Sequence, residues 1–157
     1  MAREKGAPAQ IEAKNLADYL GVMTQSVMQS GMSWEVVEKK WPGMLVAFHG
    51  FDPQWLANIS PEELDALSND TRVIRNRRKI EAVVHNARTG LALESEHGSF
   101  RNYLNSFASY EDAEGDMKKR FKFLGDMGVY HTLWIVKHPV PDYDEWCRTH
   151  GRVHEHV

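Results

Sequence analysis

Between Ile80 and Leu91 the apolar residues Ile80, Val83, Val84, Ala87 and Leu91 recur at steps of three, one, three and four. That spacing gathers them on one face of a helix with 3.6 residues per turn. The pattern predicts a long helix from about Asn76 to His97, and Asn76 suits its N-cap. A second stripe, Val37, Trp41, Met44, Leu45 and Phe48, has the same character. Ile11, Leu16, Tyr19, Leu20 and Met23 predict a third buried face. No stretch alternates apolar and polar residues for long enough to make a half-buried strand.

Helix starts are written in local chemistry. Ser60-Pro61-Glu62-Glu63 supplies an N-cap hydroxyl, a proline at the first helical position and a glutamate at the third, which is a capping box. Ser99 predicts a helix through Phe107, and Gly50-Phe51-Asp52-Pro53 predicts a turn followed by a short helix. The expectation is an all-α domain of about eight short helices.

The 157 residues suit one domain. We divide them into a lead-in at 1–10, a helical domain at 11–147 and a His-rich tail at 148–157. A chain of this size buries roughly two thirds of its unfolded surface, so it needs no disulfide or metal to fold. The lone cysteine, Cys147, has no internal partner, which points to a reducing compartment. Met1 to Gln10 lacks an apolar signal core, and no run of about 18 apolar residues exists to span a membrane. A cytoplasmic monomer, nucleoid-associated if bacterial, is expected.

A formal charge of −3 argues against a wholly basic nucleic-acid coat, but the charge is segregated. Five cations fall within Arg72 to Lys79 and four within Lys118 to Lys122, and neither cluster holds an acid. The rest of the chain has ten basic residues against 22 acidic ones, a balance of −12. Such clusters can form a phosphate-binding face, with Arg75, Arg77 and Lys122 as candidates. They can equally be solvated helix ends paired with the many carboxylates.

The second cluster leads into Phe121-Lys122-Phe123-Leu124-Gly125-Asp126-Met127-Gly128. A helix, a tight glycine-containing turn and a second helix would make a helix–hairpin–helix. Gly125 and Gly128 would let the turn approach a DNA phosphate, and free amides at the next helix start would donate to it. A Gly-x-x-Gly between helices is by itself more often an ordinary connection.

Several strings then fall in one order: Gln29-Ser30-Gly31-Met32-Ser33-Trp34, Phe51-Asp52-Pro53, Ile74-Arg75-Asn76-Arg77-Arg78-Lys79-Ile80, Asn86-Ala87-Arg88, Tyr103 to Phe107, and Lys119 to Gly125. From Tyr19 to Trp146 the chain resembles the DNA-3-methyladenine glycosylase I family. The resemblance implies an all-helical helix–hairpin–helix fold. It also implies excision of alkylated bases from double-stranded DNA by N-glycosidic hydrolysis, without a cofactor. By the same resemblance Gln29 and Trp34 match positions at the base pocket. Gly31 and Met32 match the tip that fills the gap in the DNA stack, and Leu124-Gly125 match the phosphate-gripping hairpin. An apolar wedge such as Met32 suits base flipping.

The chain departs from the family's pattern at three places. The family's pocket glutamate, eight residues before the tryptophan, is Ser26 here, which carries no charge for a cationic base. The N-terminal aromatic that stacks on the base has no clear match. No Cys or His precedes His49, so a zinc clamp joining the chain ends cannot form in the family manner. The looser resemblance to other helix–hairpin–helix glycosylases places a catalytic aspartate shortly after the hairpin. Asp142 is the candidate, with Asp144 second; such a carboxylate would stabilise positive charge on the sugar. Asp142 would also serve as the N-cap of the last helix. Val129 and Tyr130 stand where bifunctional relatives carry a Schiff-base lysine, so a monofunctional enzyme is implied. Tyr130 and His131, polar and aromatic within an apolar helix, are candidates to face the cleft. Cys147, His150, His154 and His156 have metal-like spacing, but an exposed adventitious cluster is preferred and no metal site is assigned. Two alternatives stay open: a non-catalytic binder of damaged or distorted DNA on the same fold, and a helical protein–protein module.

Overall fold

The computed structural model describes residues 9–152, and among them the chain is all helix, turn and loop, without a strand. The described residues form nine α-helices: α1 Leu16–Gln29, α2 Trp34–Ala47, α3 Pro53–Ala57, α4 Pro61–Ser68, α5 Arg77–His97, α6 Phe100–Asn105, α7 Tyr110–Arg120, α8 Asp126–Ile135 and α9 Tyr143–Thr149. A single 3-10 turn, His49–Phe51, lies between α2 and α3. The count is one above the sequence expectation, and the helices predicted after Asp52 and Ser60 are both present.

The caps set these boundaries. Asn15, Asp52, Ser60, Asn76, Ser99, Ser109 and Asp142 each place a side-chain oxygen on an amide of the helix they precede. Ser60 and Glu63 form the complete capping box. At the far end of α5, Gly98 adopts φ 88°, a left-handed C-cap that favours glycine.

With 21 residues, α5 is the longest helix, about 30 Å at 1.5 Å per residue. Helices α1, α3, α4 and α6 pack around it, and α8 lies on α1. Ile80, Val83, Val84 and Ala87 are buried as the stripe predicts. At Gly90 a Cβ would lie 2.9 Å from Leu16 Cδ1, so the glycine sets how closely α1 approaches. A smaller cluster of Tyr130, Trp146 and Cys147 seats α9 apart from the main core.

Two stripe residues depart from expectation. Ile11 precedes the Asn15 cap, so it is not helical; its N–H donates to the Ile135 carbonyl at 2.9 Å and its side chain is half-exposed. Leu45 sits beside Met44, about 100° around α2, and turns toward solvent while Val37, Met44 and Phe48 are buried. The helix after Ser99 stops at Asn105 rather than Phe107. No helix is long and apolar enough to cross a membrane among the described residues.

Candidate active site

Helix α1 ends at Gln29, and the chain reverses through Ser30, Gly31 and Met32 before Ser33 opens α2. The Met32 N–H donates to the Gln29 carbonyl at 2.8 Å. Gly31 takes φ 73°, a conformation a larger residue would resist. The turn thus lifts Met32 outward, and its side chain is 38% exposed. Trp34 begins α2 half-buried, and its indole N–H is buried without a hydrogen-bond partner among the described residues. An unpaired buried donor costs about 1–3 kcal/mol.

Beneath the tip lies Lys79, only 5% exposed. Its ammonium donates to the carbonyls of Met28 and Ser30 at 2.7 and 2.6 Å. It thereby ties the end of α1 to the first turn of α5. Burial lowers its pKa from the ordinary lysine value.

Five residues, 121–125, join α7 to α8. Phe121 and Leu124 are buried anchors, whereas Phe123 is 38% exposed with φ 57°. Buried Asn86 clamps the turn: it accepts from the Lys122 N–H at 2.8 Å and donates to the Lys122 carbonyl at 3.2 Å. Arg78 lies over the Phe123 ring at 5.9 Å, so α5 meets the turn and the two basic clusters adjoin. Gly125 opens α8 with extended backbone, and no atom crowds the space where a Cβ would stand. Gly128 is already inside α8. A Cβ there would lie 3.0 Å from Leu124 Cδ1 and 3.6 Å from Ser26 Cβ, so this glycine lets α8 pack on α1 rather than shaping the turn. Ser26, half-buried, faces that contact, and Gln29 is half-buried one turn further along.

Asp126 occupies the start of α8. Its Oδ1 accepts from the Met127 N–H at 2.8 Å and from Arg152 Nη2 at 2.6 Å. Burial alone would raise its pKa, but these two donors outweigh that and hold it below the ordinary carboxylate value.

The structure places the carboxylate candidates on α9. Asp142 is exposed, and its side chain accepts from the Glu145 N–H at 3.3 Å as the helix N-cap. Asp144, also exposed, is in the first turn. Tyr130 is 4% exposed within the α9 cluster, and its hydroxyl donates to the Pro141 carbonyl at 2.8 Å. Burial first, and then the nearby charge of Asp142, push its pKa up to about 12. Tyr130 and Asp142 are therefore neighbours, while the contacts of Trp34 belong to the main core. Burial holds His131 below the ordinary histidine pKa, so it is neutral near pH 7.

The basic residues divide by their partners. Arg77 is engaged with Asp65 at 2.7 Å and Glu81 at 3.4 Å, and Arg72 with Asp70 at 2.7 Å. Arg75 has no ion pair among the described residues. Of the C-terminal metal candidates, Cys147 is buried and His150 bonds to Glu114, while His154 and His156 lie outside the described residues. No group of three His, Cys, Asp or Glu is arranged to hold a metal among the described residues. Neither the Asn86 clamp nor the Lys79 tie is among the candidates the sequence offers. Their signal was available: both are polar residues whose registers fall on the buried face of the α5 stripe.

A crystal structure described as 3-methyladenine DNA glycosylase I superposes on 80% of this chain and 81% of its own, with a TM-score of 0.69 and 28% identity. The fold is thus that of a helical DNA glycosylase. The family model described as methyladenine glycosylase matches residues 12–126. The chain belongs to that family. A DNA-3-methyladenine glycosylase of Haemophilus influenzae is 36% identical over 89 residues, 57% of this chain and 48% of the relative. DNA-3-methyladenine glycosylase 1 of Escherichia coli K12 is 33% identical over 108 residues, 69% of this chain and 56% of the relative. The chain spans about half the length of these two relatives.

Proposed function

We propose that the chain is a monofunctional DNA glycosylase of base excision repair, hydrolysing the N-glycosidic bond of an alkylated, 3-methyladenine-like base in double-stranded DNA. The observation that carries this reading is the tip: exposed Met32 raised on a left-handed Gly31, two residues before Trp34 with its unpartnered indole N–H. A wedge in the stack and an aromatic surface with a spare donor are what a flipped base requires. Hydrolysis needs no cofactor. A base already cationic through alkylation is a good leaving group, so Ser26 in place of a glutamate does not bar the reaction.

The test is incubation of the chain with methylated duplex DNA and chromatography of the free bases. Release of 3-methyladenine is the expected result; no base released from a broad lesion panel would sink the enzyme reading. The second reading, a lesion binder without turnover, draws on uncharged Ser26 and on the capping role of Asp142. It predicts lesion-selective binding with no free base.

The hairpin offers a separate prediction. Asp126 sets a carboxylate on the Met127 amide, at the helix start that would meet a phosphate. Asp126→Asn keeps an acceptor for the Met127 N–H and removes the charge. Duplex affinity is expected to rise roughly 3–10-fold at low salt. Weaker binding, measured by anisotropy, would mean that the Arg152–Asp126 pair is needed to order the turn.

A further inference from the structure

A groove of about 420 Å³ runs between the 30–32 turn and the segment 73–79. Three cations line it, Lys40, Arg75 and Lys79, and none of its lining residues is acidic. In a chain with 22 acids against 19 bases, a cavity without one carboxylate departs from the surrounding surface. The neighbouring arginines emphasise this. Arg72 and Arg77 flank the groove but are paired with Asp70, Asp65 and Glu81. The cations that face the groove have no carboxylate partner among the described residues.

The groove is built rather than merely open. Lys40 Nζ donates to the Thr71 carbonyl at 2.9 Å, fastening α2 to the loop before α5. At Gly43 a Cβ would lie 3.1 Å from Arg72 Cβ and 3.3 Å from its carbonyl oxygen, so the same two elements touch closely. Lys79 closes the floor through the Met28 and Ser30 carbonyls. Its charge is thus held behind the tip with only carbonyl oxygens for company. Exposed Arg75 is the counterpart on the wall. The rim is apolar, with Met32 38% and Val36 40% exposed.

Cations on the floor and wall with apolar atoms on the rim match a sugar–phosphate backbone, which presents both anionic oxygens and deoxyribose carbons. We propose that this groove binds the DNA backbone at the phosphates flanking the point where Met32 enters the stack. It is a second phosphate site, separate from the α7–α8 turn. The proposal rests on the DNA-binding reading above. Its physical logic is that a wedge opens the stack only if the backbone beside it is held. A clamp adjoining Met32 supplies that hold where the distortion is made.

The experiment uses the full chain and a duplex with a central tetrahydrofuran abasic analogue, read by fluorescence anisotropy over a salt series. Arg75→Met and Lys40→Met are expected to weaken binding roughly 5–20-fold each at low salt, and each to flatten the log–log salt slope by about 1. Lys122→Met reports on the hairpin independently. Single methylphosphonate substitutions along both strands locate the contact. One flanking position should weaken the wild type and leave Arg75→Met unaffected. Thermal melts of the exposed Arg75→Met variant, expected unchanged, separate binding from folding. Wild-type affinity and slope in both groove variants, with loss in Lys122→Met, would overturn the groove while leaving the DNA reading intact. Failure of the wild type to bind duplex would overturn both. Tighter binding to poly-glutamate than to duplex, lost in Arg75→Met, would assign the groove to an acidic protein and overturn the proposal.

Discussion

Glu114→Ala is expected to lower the unfolding free energy by about 3 kcal/mol, a large share of a small domain's stability. Glu114 is a nearly buried carboxylate on α7 that holds α9 in place. Its Oε1 accepts from the Trp146 indole N–H at 3.1 Å, and both oxygens lie 3.0 Å from His150 Nε2. Trp146 is 1% exposed and stacks on His150 at 4.2 Å. Removing the acceptor leaves the buried Trp146 indole N–H and His150 Nε2 without their Glu114 partner at once. Urea denaturation monitored by tryptophan fluorescence reads the loss, and an unchanged midpoint would contradict the role. Glu114→Gln should fall between, because an amide can accept from Trp146 or face His150 but not satisfy both.

The same pair gives a pH signature. His150 Nδ1 faces the Trp146 carbonyl at 2.8 Å and Nε2 faces Glu114, so both nitrogens are called on to donate and the imidazolium is favoured. Burial opposes this, but the hydrogen bonds to Glu114 and Trp146 prevail and the pKa rises above 6.5. A raised folded pKa means the stabilisation is fully present below 6.5 and is lost as pH rises through the folded value. His131 and His138 act in the opposite sense: burial lowers both, so their contribution is present above 6.5 and fades as pH falls below it. The informative quantity is therefore the stability difference between wild type and His150→Gln. That difference should shrink above neutral pH, and its pH dependence should weaken in the Glu114→Ala background.

On the proposal that Asp142 is the catalytic carboxylate of the glycosylase, Asp142→Asn should reduce single-turnover base release at least about 100-fold, the usual scale for deleting a preorganised charge opposite a developing one. The variant is chosen for what it keeps. Asn and Asp are nearly equal as N-caps, so the bond from the Glu145 N–H survives and stability should change by only a few tenths of a kcal/mol. Asp142→Ala would confound the two roles by removing a cap worth about 1 kcal/mol. Release within a few-fold of wild type in Asp142→Asn would leave Asp142 as a cap alone. Loss in Asp144→Asn instead would move the role one turn position along α9.

The helices were legible because their causes are local. Asn76 and the Ile80–Ala87 stripe predict α5, and α5 forms there with Asn76 on the Lys79 amide. Ser60 and Glu63 predict a capping box, and both of its bonds are present. The limits of periodicity appear at Ile11 and Leu45, where a cap upstream of one and a one-residue rotation of the other outweigh hydrophobicity. The candidate site was legible only in outline. The tip and the turn could be marked by their strings. Gly128 could not be assigned to helix packing, because its neighbours Leu124 and Ser26 include one from a helix about a hundred residues earlier.

By itself, then, the sequence determined an all-helical chain of the methyladenine glycosylase family, with its boundaries and a divided charge. The helices follow from spacing and capping within a few residues, whereas the family follows from the resemblance of its motif strings and the match over residues 12–126. Only the tertiary structure decided which cations remain available. Arg77 and Arg75 stand two apart in one basic string, yet Arg77 meets Asp65 on α4 and Arg75 lines a groove without acids. Charge in a sequence is a sum, whereas binding depends on which carboxylates the fold carries to each cation and which it keeps away.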